Sequence, residues 1–311
     1  MAMTDPEALA NLYPEAASYV ARYWAPGRLE ARSKSIRSSQ ALCVSVLLTL
    51  RQRPAALRSE ICAAACEAGG LGPVGAAPDI DAEVREHRRL LGEMGGGTPT
   101  ALDGLVTTSR GVLTLESKFT EPGFGSCGQI KAEKVKWPDP RFDPEAPDKR
   151  FANCNGMHAV GSDQKWTTQS ARKPCRLTVI DGKRQPRRYW DVAPHVFVPD
   201  ILSTPQRCPW STDAYQLMRN FVFAREWAMT HRLECFGFLV VLVDAAPHAS
   251  ELRRRVADFK TLLRPELRDR VGVISYEELG SILFAHGEAD LADWLETRLV
   301  RGLHRANPPR S

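Results

Sequence analysis

Apolar positions change their spacing along this chain, and each change predicts an element. Residues 6–23 read as a helix with a Tyr-bearing apolar face, closed by Pro26-Gly27. Ser38-Ser39-Gln40 supplies a cap before Ala41–Arg51, which is apolar almost all round and therefore a buried helix. Pro54 opens a further helix, Ala55–Glu67, stopped by Gly69-Gly70. A small-residue loop runs from Gly69 to Pro78, and Glu83–Leu91 fits a strand or a short helix equally. After the triple glycine at 95–97, two apolar runs follow, Thr100–Val106 and Gly111–Lys118, with the pattern of paired strands.

Residues 121–211 lose periodicity and are rich in Pro, Gly, Lys, Arg and Trp. One hairpin is predicted there: Arg176–Ile180 and Lys183–Trp190 flank the turn pair Asp181-Gly182. Order then returns. Asp213–Leu233 is a helix with Ser211 or Thr212 near its cap, and Phe236–Val243 is a wholly apolar strand of the kind found inside a sheet. Ser250–Leu263 is an amphipathic helix, Val271–Ser275 a short strand, and Glu277–Phe284 and Glu288–Val300 are helices. Buried strands joined by helices imply an α/β protein whose mixed sheet is covered on both faces.

The hairpin is where chemistry enters. Alternate side chains of a strand share a face, so Glu116 and Lys118 point together while Leu113, Leu115 and Phe119 point into a core. With Ser109-Arg110 as a two-residue loop, Asp103 stands opposite Glu116. Two carboxylates and an ammonium then converge, a set that can hold a hard divalent cation and activate water for phosphodiester hydrolysis. The spacing alone is weak, because Asp163-Gln164-Lys165, Asp181-Gly182-Lys183 and Asp258-Phe259-Lys260 also occur. Only Glu116-Ser117-Lys118 ends an apolar strand beside an acid-bearing one. The bland alternative is a surface salt bridge on a half-exposed hairpin.

Composition narrows the class. The chain has 311 residues, 43% hydrophobic and 25% charged, as in ordinary globular proteins. No signal-like or membrane-spanning segment is read, and eight scattered cysteines suit a reduced cytoplasmic setting. The net charge is +5, but residues 131–190 carry seven Lys, seven Arg and seven acids, a local +7. Such an excess suits a polyanion, with Lys131, Lys134, Lys136, Arg184, Arg187 and Arg188 as candidate nucleic-acid contacts and Trp137, Trp166 and Trp190 interleaved. A solvated loop is the competing explanation. Cys127, Cys154, Cys175 and Cys208 lie in the same irregular stretch, with Cys154 and His158 at ligand-like spacing. Structural zinc or an iron–sulfur cluster is the less favoured use of them, since no Cys-x2-Cys pair exists. Cys43, Cys62 and Cys66 read as core.

Asp103, Glu116 and Lys118 give the chain a resemblance to the PD-(D/E)xK nuclease superfamily. Within it the chain is most similar to a bacterial group of restriction endonucleases, on Ser38-Ser39-Gln40, Thr100-Ala101-Leu102-Asp103, the Glu116–Glu121 block and Tyr215-Gln216-Leu217-Met218-Arg219. The resemblance covers about residues 30–245. It implies a restriction-endonuclease-like αβββαβ core over 36–246 with an insertion at 121–211. A helical extension at 1–35 would precede it, and an α/β extension at 247–311 would pack on it. It implies a metal-dependent deoxyribonuclease of restriction, phage defence or DNA repair. Mg²⁺ or Mn²⁺ would sit on Asp103, Glu116 and the Ser117 carbonyl, with Lys118 holding the attacking water. Gln216 and Tyr215 would contact phosphate or water, and the partners would be DNA and a second copy or another defence or repair subunit. The family's proline immediately before the acid is missing; Pro99 lies earlier. Some members carry Gln-x-x-x-Tyr on the later helix, whereas here Asn220 follows Gln216. An extra acid from the first helix would be Glu60 or Glu67, though a solvated helix face explains both. The alternative function is a nucleic-acid-binding protein on a nuclease fold without catalysis; a small-molecule enzyme would leave the basic stretch unexplained.

Overall fold

A computed structural model describes residues 5–25, 28–29, 31–85, 87–93, 100–125, 127, 157–160, 166–168, 173–174, 188–201, 206–207 and 214–306. The predicted first helix is two, α1 (Pro6–Ala10) and α2 (Pro14–Tyr23), because Pro14 cannot continue a helix and biases Tyr13 to its extended conformation. Helix α3 (Ser39–Arg51) starts where the sequence places its cap: Ser38 Oγ accepts the Ala41 N–H at 3.2 Å. Every residue from Ala41 to Leu50 is buried, as an all-round apolar helix requires. Helix α4 (Ala55–Ala68) follows, ending at Gly69 and Gly70.

A five-stranded sheet organises the rest, in the order β1-β2-β3-β8-β9. Strands β1 (Asp79–Val84), β2 (Leu102–Thr107) and β3 (Gly111–Lys118) form an antiparallel meander. Strand β8 (Cys235–Leu242) runs parallel to β3, and β9 (Val271–Ser275) parallel to β8. Helix α6 (Tyr215–His231) makes the crossover from β3 to β8. This is the mixed sheet and the αβββαβ order that the sequence predicts. Both faces are covered. Leu113, Leu115, Leu239 and Val241 join the core around α3, while Val112, Phe238, Val240 and Leu242 join the core around α6. All eight residues of β3 are buried, so the hairpin is not half-exposed. Each fully buried Leu or Phe contributes about 1.5–3 kcal/mol of transfer free energy, so strands covered on both sides anchor the fold. Helices α7 (Ala249–Leu262), α8 (Tyr276–Ala285) and α9 (Ala289–Ala306) follow, and β9 joins the same sheet as the hairpin. Among the described residues no helix is long and apolar enough to cross a membrane.

Three expectations need correction. The first strand of the meander lies at 79–84, where Ile80, Ala82 and Val84 alternate with acids, while 88–92 is a turn. Helix α6 starts at Tyr215 with no side-chain cap; the Phe124 and Gly125 carbonyls accept the Gln216 and Tyr215 N–H groups at 3.0 and 3.3 Å. Tertiary backbone thus satisfies the first N–H groups of α6, and Gly125 can present its carbonyl because it sits at φ 69°. The irregular stretch also contains four short strands, β4 (Met157–Val160), β5 (Trp166–Thr168), β6 (Lys173–Pro174) and β7 (Gln206–Arg207), paired in the order β6-β5-β4-β7. The end of the predicted hairpin arm is helical, in α5 (Tyr189–Val192). The remainder of that hairpin, the 163–165 decoy, Ser211 and Thr212 lie outside the described residues.

Candidate active site

The β2–β3 turn sets the geometry. Gly104 pairs with Leu115 and Thr107 with Val112, and the Thr108 N–H donates to the Gly111 carbonyl at 2.9 Å across Ser109-Arg110. One step further along this register Asp103 faces Glu116, as the two-residue loop predicts. The Ser117 N–H donates to Asp103 Oδ2 at 2.7 Å, which fixes the carboxylate at the strand edge. Gly104 beside it allows α3 close to the sheet, since a Cβ there would collide with Leu47 Cδ1.

Glu116 and Lys118 lie on the α6 side. Their side chains are 2% and 7% exposed, and Lys118 Nζ is 2.7 Å from Glu116 Oε1. At that distance the pair is a charge-assisted contact, which raises the Lys118 pKa, and the ammonium is the partner of Glu116 Oε1. Glu116 Oε2 accepts from Asn220 Nδ2 at 2.6 Å, and Lys118 Nζ donates to Gln216 Oε1 at 3.1 Å. Gln216 and Asn220 are one helical turn apart on α6 and so reach the same place. Asn220 therefore serves the site, although the sequence carried only Gln216 into it. Tyr215 instead packs in the core around α6, with Arg219 over its ring at 5.2 Å.

Burial in company with like charge marks the acids. Desolvation, then Glu116, then Glu83 hold the Asp103 carboxyl well above the usual carboxylate range. For Lys118, burial alone would drain the ammonium of its proton, but Glu116 and Asp103 outweigh burial and raise its pKa. A cleft of about 750 Å³ opens on this cluster, lined by Asp103, Glu116, Lys118, Gln216 and also Glu83 and Arg85. Glu83 was missed by the sequence reading. It is buried on β1, sits at φ 53°, and accepts from Arg85 Nη2 at 3.0 Å. A non-glycine residue in that region is strained, and such strain collects at functional sites. Glu60 and Glu67 are exposed on α4 and do not line the cleft.

The start of α3 closes another wall, with Ser38, Ser39 and Gln40 facing the cleft. Ser39 Oγ donates to Glu121 Oε1 at 2.5 Å, Glu121 Oε2 accepts the Phe119 N–H at 2.7 Å, and Ser117 Oγ donates to the Ser39 carbonyl at 3.1 Å. Ser117 Oγ also meets the Tyr276 hydroxyl at 2.6 Å, a contact from α8 that no sequence signal announced. The four sequence blocks thus meet at one place.

Residues 18–299 match the family model described as Restriction Endonuclease associating with ARP. The chain belongs to this restriction-endonuclease family. No curated protein and no solved structure matches it. The family model covers both the hairpin acids and α6, and the mixed sheet is compatible with a restriction-endonuclease-like fold.

Lys131, Lys134, Lys136, Arg184 and Arg187 lie outside the described residues, as do Cys154, Cys175 and Cys208. Arg188 does not line the cleft; it lines a second pocket, beside Trp227. Cys127 is buried, and Cys43, Cys62 and Cys66 pack in or against the core around α3, where burial pushes the Cys62 thiol up to about 12. Among the described residues no three His, Cys, Asp or Glu side chains group closely enough to hold a metal unaided.

Proposed function

We propose that this chain hydrolyses DNA phosphodiester bonds in the cytoplasm with Asp103, Glu116 and Lys118, dependent on Mg²⁺ or Mn²⁺. The observation that carries the reading is the buried acid pair at the cleft: Glu116, held by the Lys118 ammonium, beside an Asp103 carboxyl whose pKa is raised by burial and by the Glu116 and Glu83 charges. Like charge that raises a buried carboxyl's pKa is what a hard cation relieves. Two carboxylates and the Ser117 carbonyl suit Mg²⁺, which keeps several waters and needs few protein ligands. Bound there, the ion would supply an acidified water and positive charge for the scissile phosphate.

The chain's own groups do the rest. Lys118 Nζ, kept protonated by Glu116, donates to the non-bridging phosphate oxygens and offsets charge that grows at phosphorus. Gln216 Oε1 accepts a hydrogen bond from the ammonium and helps hold Nζ at the cleft. Asn220 holds Glu116 by its outer oxygen, and the Ser117 N–H holds Asp103, so both carboxylates are fixed before substrate arrives. Lys131, Lys134, Lys136, Arg184 and Arg187 remain proposed phosphate contacts of the +7 stretch. The family description names an association with ARP, and the proposed partner in restriction, phage defence or repair is another subunit or a second copy. Incubation of the pure protein with supercoiled, linear and single-stranded DNA, with Mg²⁺ and with EDTA, tests the reading; intact DNA in every arm, alongside normal DNA binding, would favour a binding protein on a nuclease fold.

A further inference from the structure

Helix α6 carries a second cluster at its far end. Asn220 and Gln216 serve the cleft from its first two turns, whereas Trp227 and His231 line a separate pocket of about 480 Å³. Asn220 and His231 are eleven residues apart in the chain. That separation is about 16 Å along the helix axis, or roughly five nucleotides at the rise of a B-form strand.

The pocket combines stacked rings with guanidinium groups. Phe223, Trp227 and His231 form a ladder: Phe223 and Trp227 stack at 5.8 Å and 25°, and Trp227 and His231 at 4.4 Å and 22°. His87 closes edge-on against Trp227 at 4.5 Å. The His231 ring is oriented by its Nδ1, 2.9 Å from the Trp227 carbonyl, and the residue is exposed, so the ladder ends on an accessible imidazole. Around it stand Arg88, Arg89 and Arg188. Arg188 is committed to Glu226 at 3.3 Å, but Arg88 and Arg89 are exposed and have no carboxylate partner among the described residues. A hydrophobic core needs no such cations, and a salt-bridged surface would supply them with acids. Flat rings flanked by exposed guanidinium groups that pair with no carboxylate among the described residues match a base with its phosphate.

We propose that this pocket is an outer nucleic-acid site, which takes an unpaired nucleotide of the DNA strand whose scissile phosphate lies in the cleft. The base extends the Trp227–His231 ladder, and Arg88 and Arg89 pair with its flanking phosphates. The inference rests on the nuclease reading for the identity of the strand, but not for the chemistry of the pocket.

The test measures binding in EDTA, where nothing is cut. A labelled single-stranded 20-mer, a trinucleotide too short to span both sites, thymidine monophosphate and inorganic phosphate are titrated by anisotropy or competition. The proteins are wild type and the surface double variant Arg88→Ala/Arg89→Ala. The double variant should bind the 20-mer roughly tenfold more weakly, and its plot of log affinity against log salt should be shallower by about one to two. Trp227→Phe should retain binding but lose part of the tryptophan quenching that the 20-mer produces. The trinucleotide should bind both proteins far more weakly than the 20-mer does. Wild-type affinity and slope in the double variant would overturn the outer site and leave the cleft reading standing. Equal loss for thymidine monophosphate or phosphate alone, without dependence on strand length, would make it a free-nucleotide or anion site and overturn the strand assignment. Failure of wild type to bind any DNA would overturn both readings.

Discussion

Replacement of Lys118 by Met keeps most of the length of the side chain and removes its charge. The ammonium is buried, 2.7 Å from Glu116 Oε1, and Asp103 stands across the hairpin from Glu116. Without it, Glu116 retains one hydrogen bond, from Asn220, and faces a second carboxyl with no cation between them. Breaking a buried pair by removal of one partner costs about 3–5 kcal/mol. That is a large share of a stability of about 5–15 kcal/mol, so in EDTA the variant should unfold at markedly lower urea. The double variant Glu116→Gln/Lys118→Met removes the stranded charge as well. It should recover about 1–3 kcal/mol relative to Lys118→Met alone, a non-additivity of the size found for contacting charges. Urea unfolding followed by circular dichroism, with and without Mg²⁺, gives the four corners of the cycle. A cation at a hundred times its dissociation constant should return about 2.7 kcal/mol to the metal-free Lys118→Met protein. A Lys118→Met protein as stable as wild type, or a double variant whose loss equals the sum of the singles, would refute the buried pair described here.

Other outcomes follow from the same contacts. Folding raises the Asp103 pKa above its ordinary value, so its protonated form favours the folded chain. The metal-free protein should therefore lose stability as the pH climbs from the ordinary aspartate range through the raised value, and Asp103→Asn should flatten that slope in pH-dependent melting curves. By the same linkage, Mg²⁺ should bind more tightly as the pH rises through that window and should release a proton, which calorimetry in two buffers measures. Asn220→Ala should weaken Mg²⁺ about 10–100-fold, the usual cost of losing a group that orients a ligand, without loss of DNA binding in EDTA. Gly104→Ala should destabilise by about 1–3 kcal/mol, because its methyl meets Leu47 where α3 crosses the sheet.

The strands that pack on both sides were the easiest to read. Phe236–Val243 and the first part of Gly111–Lys118 are largely apolar because a core packs on each face, and their spans survive in the structure nearly unchanged. The Ser38 cap and the turn at Ser109-Arg110 are local chemistry, so they too were legible, and the turn alone set Asp103 opposite Glu116. What escaped depends on distant parts of the chain. Asp79–Val84 alternates in the manner of a strand, but its three acids masked the apolar set Ile80, Ala82 and Val84, and Glu83 was lost with it. The cap of α6 is backbone from Phe124 and Gly125, which no residue type announces. Tyr276 reaches Ser117 across 159 residues of sequence. Asn220 was set aside because the family pattern offers a tyrosine there, yet its amide reaches Glu116 one turn after Gln216.

The most direct measurement is cleavage of supercoiled plasmid by wild type and Glu116→Ala, with both proteins shown to be folded and to bind DNA equally in EDTA. Wild type should cut in Mg²⁺ and not in EDTA, while Glu116→Ala should bind and not cut. Cleavage by Glu116→Ala at the wild-type rate in Mg²⁺ would contradict the assignment of catalysis to Asp103, Glu116 and Lys118.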